Sequence, residues 1–377
     1  MFKVLMYKAL AVLTGFILTV TGAITAPPGS NDGGLLTDYE TCKNVIFIIG
    51  DGMGFNSIGM AQERLGTELT SFDRFTLKGE SKTASAIINF TDSAAGGTAL
   101  ATGVRVALKT VGVYPTDINA EKSYPMNLCE LAVSLGKSAG IVTTSETTDA
   151  TPADFSAHVA HRDEWEKISE QQMNGPLTLL WGYRNSKINT DDYRAKGFEV
   201  LTEKEQLDAL DTENCGRTFG QFAYGLHIDG YDDNVPALAE LTEKALAVLD
   251  NNENGFFLML EGAHIDKASD DRDADEMAIV TASFDRAVNT ALNYADANPG
   301  TVVILTADHE TGGIKKTASG HYYYTTSQHT NANVPLFIYG SDDFIVDGEI
   351  IENREVGRRT ACIMGEKNFP IEVAAGK

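Results

Sequence analysis

Basic residues are scarce in this chain: Lys and Arg number 30 against 53 Asp and Glu, and the formal charge is −23 at neutral pH. So acidic a chain repels polyanions, which excludes nucleic-acid binding through general electrostatics. Long apolar runs are nearly absent. The run from Ala9 to Val20 is short for spanning a bilayer, and no other segment is apolar enough. Cysteine is sparse, with Cys42, Cys129, Cys215 and Cys362 at spacings that exclude a zinc finger. An even number permits two disulfides in an exported protein, and free buried thiols fit equally well. No GxSxG occurs, so a Ser–His–Asp esterase lacks its nucleophile elbow. No internal repeat marks a solenoid or a propeller.

What is present begins with a processing signal. Lys3 and Lys8 precede the apolar run, and the small residues Thr21, Gly22 and Ala23 follow it. That order reads as a secretory signal peptide over 1–23, which makes the mature protein secreted or periplasmic and free of any membrane. Residues 24–41 read as a flexible lead-in rich in Pro, Gly, Ser and Asp. Residues 42–377 then read as one catalytic domain.

Within it, apolar runs alternate with helical patterns. Asn44 to Gly50, Ala139 to Thr144, Phe256 to Glu261, Thr301 to Thr306 and Val334 to Tyr339 have the continuous apolar character of strands buried on both faces. Met126 to Gly136, Val235 to Leu249 and Asp275 to Asn293 carry helical periodicity. The alternation predicts an α/β fold, a three-layer sandwich with a central, mostly parallel sheet and helices on both faces. The polar stretch 165–233 reads as insertions on that core, and 310–330 as a short loop.

Ligands of such sheets bind beyond the carboxyl ends of the strands. Asp51, Glu261, Asp308 and His309 all stand at predicted strand ends. Asp266 and Asp270 are four apart and share one helix face. His329 lies in the polar segment SQHTNAN, and Asp149 and Thr151 in SETTDATPAD. His nitrogen and carboxylate oxygen suit zinc, and short oxygen ligands suit magnesium. Each piece alone has a plainer reading: a surface histidine, a helix start at DATP, a solvated acidic run around Asp270. Ser93, in FTDSAAGGTALATG, precedes a helical pattern. It reads either as an N-cap or as a nucleophile near backbone N–H groups, with Gly96 and Gly97 suited to an anion.

Taken in order, these segments resemble the alkaline phosphatases: IGDGMG around Asp51, TDSAAGGTALATG around Ser93, DATPA from Asp149, HVAHR ending at Arg162, EGAHID from Glu261, TADHETGG around Asp308 and His309, and SQHT at His329. The resemblance implies hydrolysis of phosphate monoesters with broad specificity, through a phosphoserine at Ser93. It implies Arg162 as the bidentate clamp on the phosphoryl group, oriented by Asp92. It implies two zinc ions and one magnesium. Asp51, Asp308 and His309 resemble one zinc site, and Asp266 and His329 part of the other. Thr151, Glu261 and Asp51 resemble magnesium ligands, with Asp149 reaching that ion through water. Lys267 matches a lysine placed near Asp149 and the phosphate. Family members are usually homodimers.

One position departs. Four residues after its zinc-binding Asp the family usually has His, and this chain has Asp270. Asp270 as a metal ligand makes that site more negative and open to a harder metal; otherwise a water takes its place. The alternatives are a phosphodiesterase of the same superfamily, which favours Thr as nucleophile, and a phosphate-binding protein whose catalysis has decayed through Asp270.

Overall fold

The segment NVIFIIG forms the strand Asn44–Gly50, with every residue buried. Its side chains alternate between two hydrophobic clusters: Ile46 and Ile48 pack into one, Val45, Phe47 and Ile49 into the other. Both faces of the strand are therefore covered, as the unbroken apolar run requires. The same alternation divides Phe256, Leu258 and Leu260 from Phe257 and Met259 on the neighbouring strand.

The computed structural model describes residues 39–375. The expected signal peptide and most of the lead-in lie outside them. Among the described residues no helix is long and apolar enough to cross a membrane, and all four cysteines are free thiols.

A sheet of ten strands forms the centre. From one edge to the other its strands are Ile350–Glu352, Leu77–Lys82, Val334–Tyr339, Thr301–Thr306, Asn44–Gly50, Phe256–Gly262, Ser138–Glu146, Leu179–Tyr183, Arg217–Phe222 and Phe198–Leu201. Val334–Tyr339 pairs antiparallel with both neighbours, and the other pairings are parallel. On one face lie the helices Phe55–Leu65, Leu238–Leu249 and Ala274–Ala297, whose Met60, Leu241 and Val288 join the first cluster. On the other lie Ser93–Thr102, Leu128–Ser134 and Asn353–Ile363, through Leu100, Leu131 and Ile363. This is the three-layer α/β arrangement expected from the alternation.

Two segments differ from the sequence reading. The stretch 165–233 is not only insertions, because it supplies Leu179–Tyr183, Phe198–Leu201 and Arg217–Phe222, three strands of the main sheet. These strands are short, and RTFGQF carries buried Thr218 and Gln221, so no long apolar run marks them. The segment 310–330 forms two small antiparallel pairs, Glu310–Thr311 with His329–Thr330 and Lys315–Lys316 with Tyr322–Tyr323. The first pair sets His329 opposite Thr311, which returns a distant histidine to the end of the Thr301–Thr306 strand.

Candidate active site

Ser93 is the first residue of the helix Ser93–Thr102, and Asp92 is its N-cap, accepting from the Ala95 N–H at 3.1 Å. The capping task thus falls to Asp92, and the Ser93 hydroxyl is left for other partners. Its Oγ lies 3.2 Å from Nε2 of His309. The same nitrogen stands 3.2 Å from Asp308 Oδ2 and 3.4 Å from Asp51 Oδ1. Both oxygens are buried and have no hydrogen-bond partner.

Glycines permit this convergence. Gly52 has φ +70°, and a Cβ there would meet Asp266 Cα at 2.8 Å. Gly96 and Gly97 were expected to favour an anion, but their role here is close packing. A Cβ on Gly96 would meet the Asp308 carbonyl oxygen at 2.7 Å, and one on Gly97 the Asp154 carboxylate at 2.2 Å.

A second group stands beside the first. His329 Nε2 lies 3.6 Å from Asp266 Oδ1, and His309 Nδ1 lies 3.9 Å from the same oxygen. The two imidazoles stack, with ring centroids 3.6 Å apart. His329 Nδ1 is 3.0 Å from the Thr91 carbonyl oxygen. A carbonyl only accepts, so Nδ1 carries a proton, and Nε2 is the nitrogen turned toward Asp266.

The electrostatics of the group call for a cation. Burial, then Asp308, Asp266 and Glu261, push the Asp51 carboxyl well above its ordinary range. Burial also raises Asp308, against the pull of His329, and pushes Glu261 up to about 7 despite its bonds from Thr143 and Thr151. Burial holds His309 down at about 3, so its imidazole is neutral. A neutral imidazole nitrogen and crowded buried carboxylates converge, with Asp51 Oδ1 and Asp308 Oδ2 left without a hydrogen-bond partner, and such a donor set fits a divalent metal. Asp51, Asp308 and His309 form one set with ligand atoms mutually within 4.8 Å, and Asp266, His309 and His329 form another.

Asp149 and Thr151 flank the start of the short helix Ala150–Asp154, which Asp149 also caps. Arg162 Nη2 donates to Asp149 Oδ1 at 2.9 Å, and Nη1 lies 3.7 Å from Asp92 Oδ2. Lys267 Nζ is 3.8 Å from Asp149 Oδ2 and donates to Ser145 Oγ at 3.0 Å. Burial opposes ionisation of Asp149, but Lys267, Arg162 and Ser145 outweigh it and hold the carboxyl at about 2. Burial likewise opposes the charge on Arg162, and Asp149 and Asp92 more than restore it.

Asp270 stands apart. It is exposed at the end of the helix His264–Asp270 and belongs to neither set of converging ligand atoms. Partial burial and Asp266 raise its carboxyl, with His329 pulling the other way. His264 is turned elsewhere, stacked on His227 at 3.5 Å with its Nδ1 3.2 Å from Thr144 Oγ1.

The supporting hydroxyls escaped the sequence reading. Thr143 donates to Glu261, Ser145 donates to Asp149 at 2.6 Å, and Thr311 donates to Asp266. All three lie in or beside the motifs already singled out, SETTDATPAD and TADHETGG. A hydroxyl two residues after His309 and three after Asp308 was the available signal for Thr311 alone.

The fold and site together define an α/β protein with a buried, serine-bearing cluster of candidate metal ligands at the carboxyl ends of parallel strands. The chain matches the alkaline phosphatase family model over residues 42–176 and 169–353, and it belongs to that family. Alkaline phosphatase 4 of Bacillus subtilis is 35% identical over 304 residues, covering 75% of this chain and 64% of that protein. The chain thus spans just under two thirds of that relative. Alkaline phosphatase of Escherichia coli is 31% identical over 365 residues, 76% of each chain. The solved alkaline phosphatase from the Antarctic bacterium TAB5 superposes with a TM-score of 0.72 at 26% identity, over 87% of this chain and 99% of that one. A His-to-Asp variant of the TAB5 protein has Mg bound in its M3 site.

Proposed function

We propose that the protein hydrolyses phosphate monoesters with broad specificity, through a phosphoserine at Ser93, releasing inorganic phosphate and an alcohol. The observation that carries this reading is the approach of Ser93 Oγ to His309 Nε2, the nitrogen that also faces Asp51 and Asp308. Asp51, Asp308 and His309 would hold one zinc; Asp266 and His329, with Asp270 or a water, would hold the other. Asp51, Thr151 and Glu261 would hold magnesium, with Asp149 acting through water. When bound, these ions supply the positive charge that lowers the serine pKa and neutralises the departing oxygen.

The protein's own residues do the rest. Arg162 donates two N–H groups to phosphoryl oxygens, its plane set by Asp149 and Asp92. Lys267 adds a second positive charge on the same side. Ser93 Oγ attacks phosphorus in line as the ester P–O bond breaks and the alcohol leaves. Water then attacks phosphorus, and Ser93 Oγ departs with its proton restored. Placing the serine at a helix start fixes its backbone, so the reacting oxygen is positioned before substrate arrives. Export through residues 1–23 and a homodimer are part of this reading, on the composition of that segment and on the resemblance to the family.

The test is hydrolysis of p-nitrophenyl phosphate from about pH 7 to about pH 11 with zinc and magnesium supplied. Release of nitrophenol that Ser93→Ala loses supports the reading. No release with zinc, magnesium, manganese or cobalt overturns it.

A further inference from the structure

Beside Arg162 opens a cavity of about 450 Å³, lined by Glu146, Asp149, Arg162, Asp163, Trp165, Asn185 and Lys187 among others. That volume suits a small molecule. Arg162 and Asp149 are paired with each other across its wall, so the charges that remain are Glu146 and Asp163 against Lys187. The Lys187 ammonium sits over the Trp165 ring, 5.4 Å from its centroid. The indole face is therefore a seat that already holds an ammonium, supplied by an exposed and replaceable side chain of the protein itself. The loop that carries Lys187 is braced. Asn185, 4% exposed, donates to Thr148 Oγ1 at 3.1 Å and accepts the Lys187 N–H at 2.9 Å.

We infer that this cavity is a leaving-group subsite for phosphate esters of amino alcohols, with the ammonium on Trp165 between Glu146 and Asp163. The inference rests on the phosphomonoesterase reading. The overall charge of −23 acts in the same direction. It disfavours the approach of esters with a second negative charge, whereas a zwitterionic ester carries less.

The test compares phosphocholine, whose charge does not titrate, with its neutral carbon isostere neohexyl phosphate and with anionic phosphoglycolate, using the full chain supplied with zinc and magnesium. Phosphocholine should exceed the neutral ester in kcat/KM by roughly tenfold, the weight of one desolvated cation–π contact with charge support. Trp165→Leu should bring that ratio close to one. Lys187→Met should raise it, because the competing ammonium is gone. Choline alone should quench the emission of Trp165, the only other tryptophan, Trp181, being fully buried, and Trp165→Leu should abolish the quenching.

Turnover of all three esters at equal efficiency overturns the subsite and leaves the phosphatase reading intact. So does a preference for phosphoglycolate that Lys187→Met removes, since the pocket then takes an anion. Quenching by choline without turnover of any ester supports the seat and overturns the phosphatase reading instead.

Discussion

The Ser93 hydroxyl and the His309 imidazole are 3.2 Å apart, and the ring nitrogen that faces the serine also faces two carboxylates. His309 Nε2 faces Asp51 and Asp308 as well as the serine, and burial keeps the ring neutral, down at about 3. A histidine so hard to protonate is a poor acceptor for the serine proton near neutrality. Its lone pair is suited to a metal, and the serine would share the field of an ion bound there.

Ser93→Ala should therefore reduce kcat by about a thousandfold or more while leaving the fold unchanged. The helix keeps its cap, because Asp92 and not Ser93 accepts the Ala95 N–H. Steady-state rates and thermal melts of wild type and variant, side by side, check this. A variant that retains a tenth of the rate would remove Ser93 from the role of nucleophile.

Much of this centre was legible from the motifs because strand ends carry its acids. Asp51, Glu261 and Asp308 each follow an unbroken apolar run. The strands of 165–233 were not legible, because a short strand near a sheet edge needs few apolar residues and RTFGQF buries polar ones. The supporting hydroxyls were hidden for another reason. Thr143, Ser145 and Thr311 act by direction, and a sequence carries no direction until the backbone turns. Gly96 and Gly97 illustrate the same point, since an anion site and a close helix contact both call for glycine.

Removing metal should make the protein less stable, and more so as pH rises. In the metal-free state burial raises the Glu261 carboxyl from an ordinary 4.5 to about 7. A carboxyl raised on folding binds its proton more tightly in the folded chain. Its contribution is whole below about 4.5 and is lost as pH climbs through about 7, at a cost on the order of 3 kcal/mol. Thermal melts with chelator should show Tm falling across that window, while the zinc- and magnesium-loaded protein holds its Tm. Parallel curves for the two forms would mean that no cation sits against Glu261.

Asp270→His should tighten zinc binding by about tenfold or more. The replacement puts a neutral nitrogen one helical turn beyond Asp266, whose Oδ1 lies 3.6 Å from His329 Nε2. Competition with a chromophoric chelator measures it without reference to activity. Unchanged affinity would place position 270 outside the metal site.

Asp154 offers a prediction away from the metals. It is fully buried on the short helix Ala150–Asp154, and burial raises its carboxyl well above the ordinary range even though Thr98 donates to it at 2.7 Å. Its second oxygen, Oδ2, has no partner. Because the folded pKa is the higher one, the folded chain holds this proton when the unfolded chain has lost it. Stability is therefore complete below about pH 3.9 and declines as pH rises toward the folded value. Asp154→Asn keeps an oxygen to accept from Thr98 and cannot ionise. The variant should match wild type in acid and exceed it in Tm by a growing margin as pH rises toward the alkaline range. Melts at about pH 5 and about pH 9 decide the matter. A margin that shrinks with pH would mean that Asp154 is ionised in the fold and held by a positive partner.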